Sequence, residues 1–224
     1  RRECELNTKV RIKRGGTMEN LKSNNIQKAE AVEPIKNKKD VKKLVEFLHI
    51  TNKRNYTIVV LGINTLLRAG DLLSLKWSDV LEDENTFKMN FTLKEDKTDK
   101  TRKVDLNTSS IEVLTEYKQS LGDNFISTDY IFKSRKGDKA IDVKALHKII
   151  KDTCRALNIK GNFGTHTLRK TGAYRIYADN IIENPMIISY LQEILNHSSQ
   201  KTTLRYIGIE AEKITDIFMN LKHY

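Results

Sequence analysis

Tyr206 stands nine residues after His197, in a stretch that reads His166-Thr-Leu-Arg169 and then Leu195-Asn-His197-Ser-Ser-Gln-Lys-Thr-Thr-Leu-Arg-Tyr206. Two imidazoles, a guanidinium and a phenol therefore fall within about forty residues. A phenol with a pKa near ~10 needs charged help before it attacks anything at neutral pH. Arginine can give that help to a phosphate, because its planar fork donates two hydrogen bonds at once. Histidine titrates near neutrality and can move a proton. Together these groups suit transesterification of a phosphodiester. That reaction needs a nucleophile, cations on the non-bridging oxygens, an acid for the departing oxygen, an acceptor for the nucleophile's proton and in-line geometry.

The elements that must position these residues can be read from periodicity. Residues 1 to about 36 show no sustained apolar pattern and are rich in Lys, Arg, Asn and Glu, the composition of a basic polar tail or linker. Asp40 is the expected N-cap of a helix over Val41–Leu48, and a second helix is expected from Lys53 to Leu67. Ala69-Gly70 should break it, with Asp71 capping a short segment to Trp77. The period then changes to two, which predicts a strand over Phe87–Leu93, a polar turn, and a second strand over Arg102–Leu106. The remainder reads as helical. Thr108 or Ser109 caps Ile111–Lys118, Asp142 caps Val143–Leu157, and further helices run over about Thr165–Ala178 and Pro185–Leu195. Ser198-Ser199 caps a short helix carrying Tyr206, and an amphipathic helix spans Glu210–Leu221. The expected class is mainly α with one small antiparallel β-sheet (α+β).

Composition narrows the partners. The chain has 224 residues, 38% hydrophobic and 31% charged, enough for one large domain with a modest core. No apolar run approaches the ~20 residues that cross a bilayer, and the first residues lack the apolar region of a secretory leader. Net charge is +11, and residues 1–54 hold 15 Lys and Arg against 7 Asp and Glu. Nucleic acid is the default partner for that excess. Cys4 and Cys154 lie far apart with no CxxC spacing, which fits a reduced intracellular protein rather than a disulfide framework.

The residues carry a family resemblance. Thr165-His166-Thr-Leu-Arg169-Lys-Thr171 resembles the His-x-x-Arg box of the tyrosine recombinases, also called phage-type integrases, and the Leu195–Tyr206 stretch resembles their Leu-Gly-His-Ser-Ser…Thr-Thr-x-x-Tyr box. Leu66-Leu-Arg68-Ala-Gly-Asp71-Leu-Leu-Ser-Leu-Lys-Trp77-Ser-Asp-Val80 is similar to the box around their first arginine. Lys97-Thr-Asp-Lys-Thr-Arg-Lys-Val104 is similar to the hairpin with their catalytic lysine. The four occur in the family's order, over residues from about 35 to 221. The sequence departs from the pattern at Thr167, where Asp is usual, at Asn196 and Asp99, where Gly is common, and at Asp105, where Pro is common.

The resemblance implies the tyrosine recombinase catalytic-domain fold over residues 37–224, behind the tail of residues 1–36. It implies Tyr206 as nucleophile, leaving a 3′-phosphotyrosyl link. Arg68 and Arg169 would clamp the scissile phosphate, with a hydrogen bond from His197. His166 would serve as acid or base, and Lys97 would protonate the 5′-oxygen, with Lys94 and Lys100 as alternatives on the same hairpin. No cofactor, metal, ATP or small-molecule substrate is implied. The partner would be double-stranded DNA, bound by a homotetramer on paired sites, in a prokaryotic cytoplasm at the nucleoid and away from membranes. The last helix would dock on a neighbouring subunit or pack in cis. Family members usually carry an N-terminal helical domain that clamps the other face of the DNA. The sequence therefore reads as either a catalytic domain apart from its clamp or a minimal member, with Met18 a candidate start. A type IB topoisomerase-like or hairpin-end resolving enzyme, and a catalytically silent DNA-binding accessory protein, are the alternative functions.

Taken singly, each residue has a plainer reading: Tyr206 as a half-buried helix tyrosine, His166 as an interior histidine, Arg68 as a helix C-cap, Lys97 as a solvated turn lysine, Trp77 and Cys154 as core. Their joint occurrence is what favours catalysis.

Overall fold

A computed structural model describes residues 31–95, 100–135, 137–209 and 219. Lys97, residues 1–30 of the basic tail and nearly all of the expected Glu210–Leu221 helix lie outside the described residues. The elements in chain order are helices α1 (Lys38–Thr51), α2 (Lys53–Thr65), α3 (Ala69–Leu73) and α4 (Trp77–Val80), then strands β1 (Asn90–Lys94) and β2 (Thr101–Asp105). Helices α5 (Thr108–Leu121), α6 (Val143–Ala156), α7 (Thr167–Asn180), α8 (Ile187–Leu195) and α9 (Gln200–Tyr206) follow. The expected class, mainly α with one small antiparallel sheet, is the architecture found.

Short polar side chains start the helices, because each satisfies a backbone N–H that has no partner inside the helix. Asp142 caps α6 through Ala145 N–H and Ser199 caps α9 through Thr202 N–H, as expected. Two caps differ. Asn37, not Asp40, caps α1, and Asp40 lies in the first turn, where a carboxylate faces the positive end of the helix. Asn107, not Thr108 or Ser109, caps α5. In both cases an asparagine one step or one turn earlier offers the same side-chain oxygen.

The break after α2 is also displaced. Ala69-Gly70 opens α3 instead of ending α2, and the chain turns at Leu66, whose φ of 52° is left-handed. A leucine there is uncommon. It is held from both sides: its side chain is buried with Ala173, Leu191, Leu195 and Ile207, and its carbonyl accepts a 3.0 Å hydrogen bond from Arg102 Nη1.

Two apolar clusters organise the packing. The larger gathers α1 to α6 and the hairpin around Leu44, Ile58, Leu61, Trp77, Leu114, Phe132 and Leu146, with Cys154 also inside it. Trp77 is therefore core, its plainer reading. The smaller holds α7, α8 and the end of α9 together. In the hairpin Phe91 pairs with Val104 and Leu93 with Arg102, so the core-facing row of β2 contains Val104 and, two residues before it, Arg102.

Helices α2 and α7 meet backbone to backbone. A β-carbon on Gly172 would lie 2.0 Å from the carbonyl oxygen of Ile63, and one on Gly62 would lie 2.8 Å from Leu168. Glycine at both positions permits this approach, which sets α2 against the first turns of α7. Residues 31–36, read as part of the tail, run along the same helix. Ile35 is buried, its N–H donates to Thr171 Oγ1 at 2.9 Å, and Thr167 Oγ1 donates to the carbonyl of Glu33 at 3.0 Å. Lys36 Nζ donates to the carbonyl of Gly208 at 2.6 Å, just beyond α9.

Gly172→Ala should destabilise the protein by about 1–3 kcal/mol and lower its melting temperature by roughly 3–10 °C, because the added carbon meets backbone that cannot swing aside. Thermal melting followed by circular dichroism reads this out. An unchanged midpoint would show that the two helices can part freely.

Candidate active site

Four chain turns bring the side chains together. Arg68 is the extended residue between the left-handed turn at Leu66 and the start of α3. Arg169 lies in the first turn of α7, with His166 at that helix's N-terminal boundary. His197 follows α8, and Tyr206 is the last residue of α9. Asn196, at the position where glycine is common in the family pattern, turns the chain with a φ of 54°. Asparagine tolerates that conformation because its short side chain makes local polar contacts. Its Oδ1 also accepts a 3.2 Å hydrogen bond from Lys100 Nζ, joining the hairpin to the loop that carries His197. Thr167, where aspartate is usual, is fully buried and accepts from Gly164 N–H at 2.9 Å. It stitches the loop before α7 to the extended segment at Glu33.

Arg169 is 4% exposed, and its Nη2 donates to the carbonyl of Leu195 at 3.2 Å. This fixes the guanidinium against the end of α8. The Tyr206 hydroxyl oxygen is buried although part of the ring meets solvent, and neither that oxygen nor Arg169 Nη1 has a well-formed hydrogen bond among the described residues. The His197 ring stands edge-on to the Tyr206 ring with centroids 5.0 Å apart, and Lys170 Nζ lies 4.9 Å from the centroid of the phenol ring. His197 Nδ1 is 3.0 Å from Thr203 Oγ1. The Thr203 hydroxyl is itself 3.3 Å from the carbonyl of Ser199, so the imidazole is oriented from within α9.

Burial raises the Tyr206 phenol above its ordinary value, and the nearby Arg169 and Arg68 charges pull the other way. The phenol is thus neutral at pH 7, in a field that favours its anion once the proton has somewhere to go. Burial lowers His197, and Arg169 and Arg68 lower it further, which keeps the imidazole neutral at pH 7. Arg169 is lowered by burial first.

Beneath Arg68 lies an ion-pair cluster. Glu95, 4% exposed, pairs closely with Arg68 and lies 4.0 Å from Arg102 Nη1. Arg102 donates to the carbonyls of Leu66 and Thr65 at 3.0 and 2.9 Å. It thereby caps the C-terminus of α2, the part considered for Arg68. Burial, with the Arg169 charge second, lowers Arg102 to about 10. Asp71 is buried in the same region and offsets the charges of Arg102 and Arg169. Three guanidiniums (Arg68, Arg102, Arg169) stand against two carboxylates (Glu95, Asp71). With Lys170 against the phenol ring as well, positive charge exceeds negative, as binding of a phosphodiester anion requires.

Of the six residues singled out in the sequence, Arg68, Arg169, His197 and Tyr206 come together. His166 lies one helical turn from Arg169 with its side chain exposed. Lys97 falls outside the described residues, on a hairpin closed by a 2.9 Å hydrogen bond from Glu95 N–H to the Lys100 carbonyl. Glu95, Arg102 and Thr203 were not singled out. The hairpin's alternation carries the first two: Phe91, Leu93 and Glu95 continue one face, and Arg102, Val104 and Leu106 continue the other strand's inward face. A charged residue at an inward position on each strand is the signal of a buried pair. Among the described residues no group of three His, Cys, Asp or Glu side chains is placed to hold a metal ion, and no helix is long and apolar enough to cross a membrane.

Comparison with known proteins agrees with this geometry. The description "Phage integrase family" matches residues 36–213. The chain belongs to that family, the tyrosine recombinases. It is 34% identical over 181 residues to the probable integrase/recombinase YoeC of Bacillus subtilis (strain 168), covering 81% of this chain and 92% of that protein. It is 30% identical over 172 residues to the tyrosine recombinase XerD of Staphylococcus aureus (strain Mu50), covering 75% of this chain and 55% of XerD. The fold matches the XerH site-specific recombinase, solved with its palindromic difH substrate in a post-cleavage complex. The TM-score is 0.63 at 22% identity, over 86% of this chain and 54% of that one. The chain thus spans nearly all of one relative and about half of the other two.

His197 should titrate below its ordinary range when its imidazole resonances are followed by NMR. Arg169→Gln should move the midpoint upward, since removing a neighbouring positive charge favours the imidazolium. A midpoint that stays put in the variant would separate His197 from the guanidinium cluster.

Proposed function

We propose that this chain breaks and rejoins double-stranded DNA through a covalent 3′-phosphotyrosine, as a site-specific recombinase or integrase. The observation that carries the reading is a buried phenol hydroxyl set among Arg169, Arg68 and His197. In the proposed step the Tyr206 oxygen bonds to phosphorus as the bond to the 5′-oxygen breaks. Arg68 and Arg169 hold the non-bridging oxygens, where charge builds in the transition state. His197, oriented through Thr203, hydrogen-bonds the same phosphate. His166, at the mouth of α7, takes or returns the phenol's proton, and Lys97 on the hairpin gives a proton to the departing 5′-oxygen. The phosphodiester energy stays in the phosphotyrosine, so rejoining needs neither ATP nor a metal.

The net charge of +11 supports DNA as the partner, and XerH is a relative in fold solved on such a substrate. We assign residues 37–224, with the packed segment 31–36, to the catalytic domain, acting as a homotetramer on two paired duplexes in the prokaryotic cytoplasm.

A pool of nicked suicide duplexes with randomised sequence tests the reading. Incubated with the chain and resolved on a denaturing gel, it should give a DNA-linked protein band whose DNA can be recovered and sequenced. Tyr206→Phe should give none. Arg169→Ala should lower adduct formation by about a hundredfold or more while keeping its circular dichroism spectrum. A band that survives Tyr206→Phe would sink the mechanism.

A further inference from the structure

We propose that Glu95 is a positioning residue of this active site, a buried carboxylate that aims Arg68 before DNA arrives. This rests on the function proposed above. A carboxylate that is 4% exposed does not stay ionised in a protein interior without partners, and Glu95 has them on both sides in Arg68 and Arg102. The same residue acts through its backbone: its N–H donates to the Lys100 carbonyl and extends the pairing of β1 with β2. One residue therefore engages the first arginine by its side chain and the neighbouring strand by its main chain.

The third member completes the brace. Arg102 faces Glu95 and donates to the carbonyls of Thr65 and Leu66, three and two residues before Arg68. Arg68 is thus held at its guanidinium by Glu95, the turn that leads into it is held by Arg102, and Glu95 is the link between the two. This does not block phosphate binding. A guanidinium carries five N–H donors in a fixed fork, and Glu95 engages the Nη1 end, so the side chain can be held by a carboxylate and still donate to a phosphate oxygen. Without the carboxylate, the buried Arg169 and the half-buried Arg68 and Arg102 would repel one another, and Arg68 would have to be oriented at the moment of reaction. Fixed donors stabilise developing charge without that reorganisation.

The test compares single-turnover adduct formation on the nicked duplexes with equilibrium binding of the same DNA by gel shift, for Glu95→Gln, Glu95→Asp and the charge-balanced double variant Glu95→Gln/Arg102→Gln. Glu95→Gln keeps the shape and loses the charge. It should slow adduct formation by about tenfold or more while DNA affinity stays within about twofold. Glu95→Asp should recover most of the lost rate at a similar melting temperature, which mere support of the fold would not produce. The double variant keeps the net charge and removes the brace, so it should be as slow as Glu95→Gln, and it serves if the single variant does not fold. Wild-type rates in a folded Glu95→Gln or double variant, or equal slowing by Gln and Asp, would overturn this inference alone. A wild-type chain that forms no adduct would overturn the functional reading and this inference with it.

Discussion

The carbonyl oxygen of Ile63 occupies the place where a side chain on residue 172 would begin, and the site depends on that contact. Arg68 leaves the chain five residues after Ile63, and Arg169 lies three residues before Gly172. The spacing between the two helices therefore sets the distance between the turn that carries Arg68 and the helix that carries Arg169. A backbone contact between helices does not stretch, because interiors packed to crystal density lose dispersion energy when they open.

On that frame the electrostatics divide the work. Burial keeps the Tyr206 phenol and the His197 imidazole neutral, while the guanidiniums of Arg68, Arg102 and Arg169 outnumber the buried carboxylates of Glu95 and Asp71. Glu95 and Asp71 thus temper the site as well as brace it, which a list of attacking and donating groups leaves out.

Much of this was legible beforehand, and the gaps have physical causes. Helices announced themselves by apolar spacing and by caps such as Asp142 and Ser199, and the hairpin by its change of period. Arg68, Arg169, His197 and Tyr206 were marked by boxes in a fixed order. The start of α1 is ambiguous in sequence because Asn37 and Asp40 offer the same cap chemistry one turn apart. The break at Leu66 has no sequence signal because a left-handed leucine is held by tertiary contacts absent from its own neighbourhood. The Glu95–Arg102 pair was in the alternation, but charged residues in a hairpin invite a solvent-facing reading until the opposing apolar row is counted with them. The Lys36 bond to Gly208 had no local signal, since its partners are 172 residues apart.

That long separation has a temporal meaning. Closing so large a loop is entropically unfavourable and delays the contacts that depend on it. Synthesis runs from the N-terminus, so Arg68 and the hairpin leave the ribosome long before Tyr206 does. A nascent chain holds the first arginine of the site well before it holds Arg169, His197 and the tyrosine that attacks. The bond from Lys36 to residue 208 forms only after Tyr206 has emerged, so the nucleophile joins the pocket last.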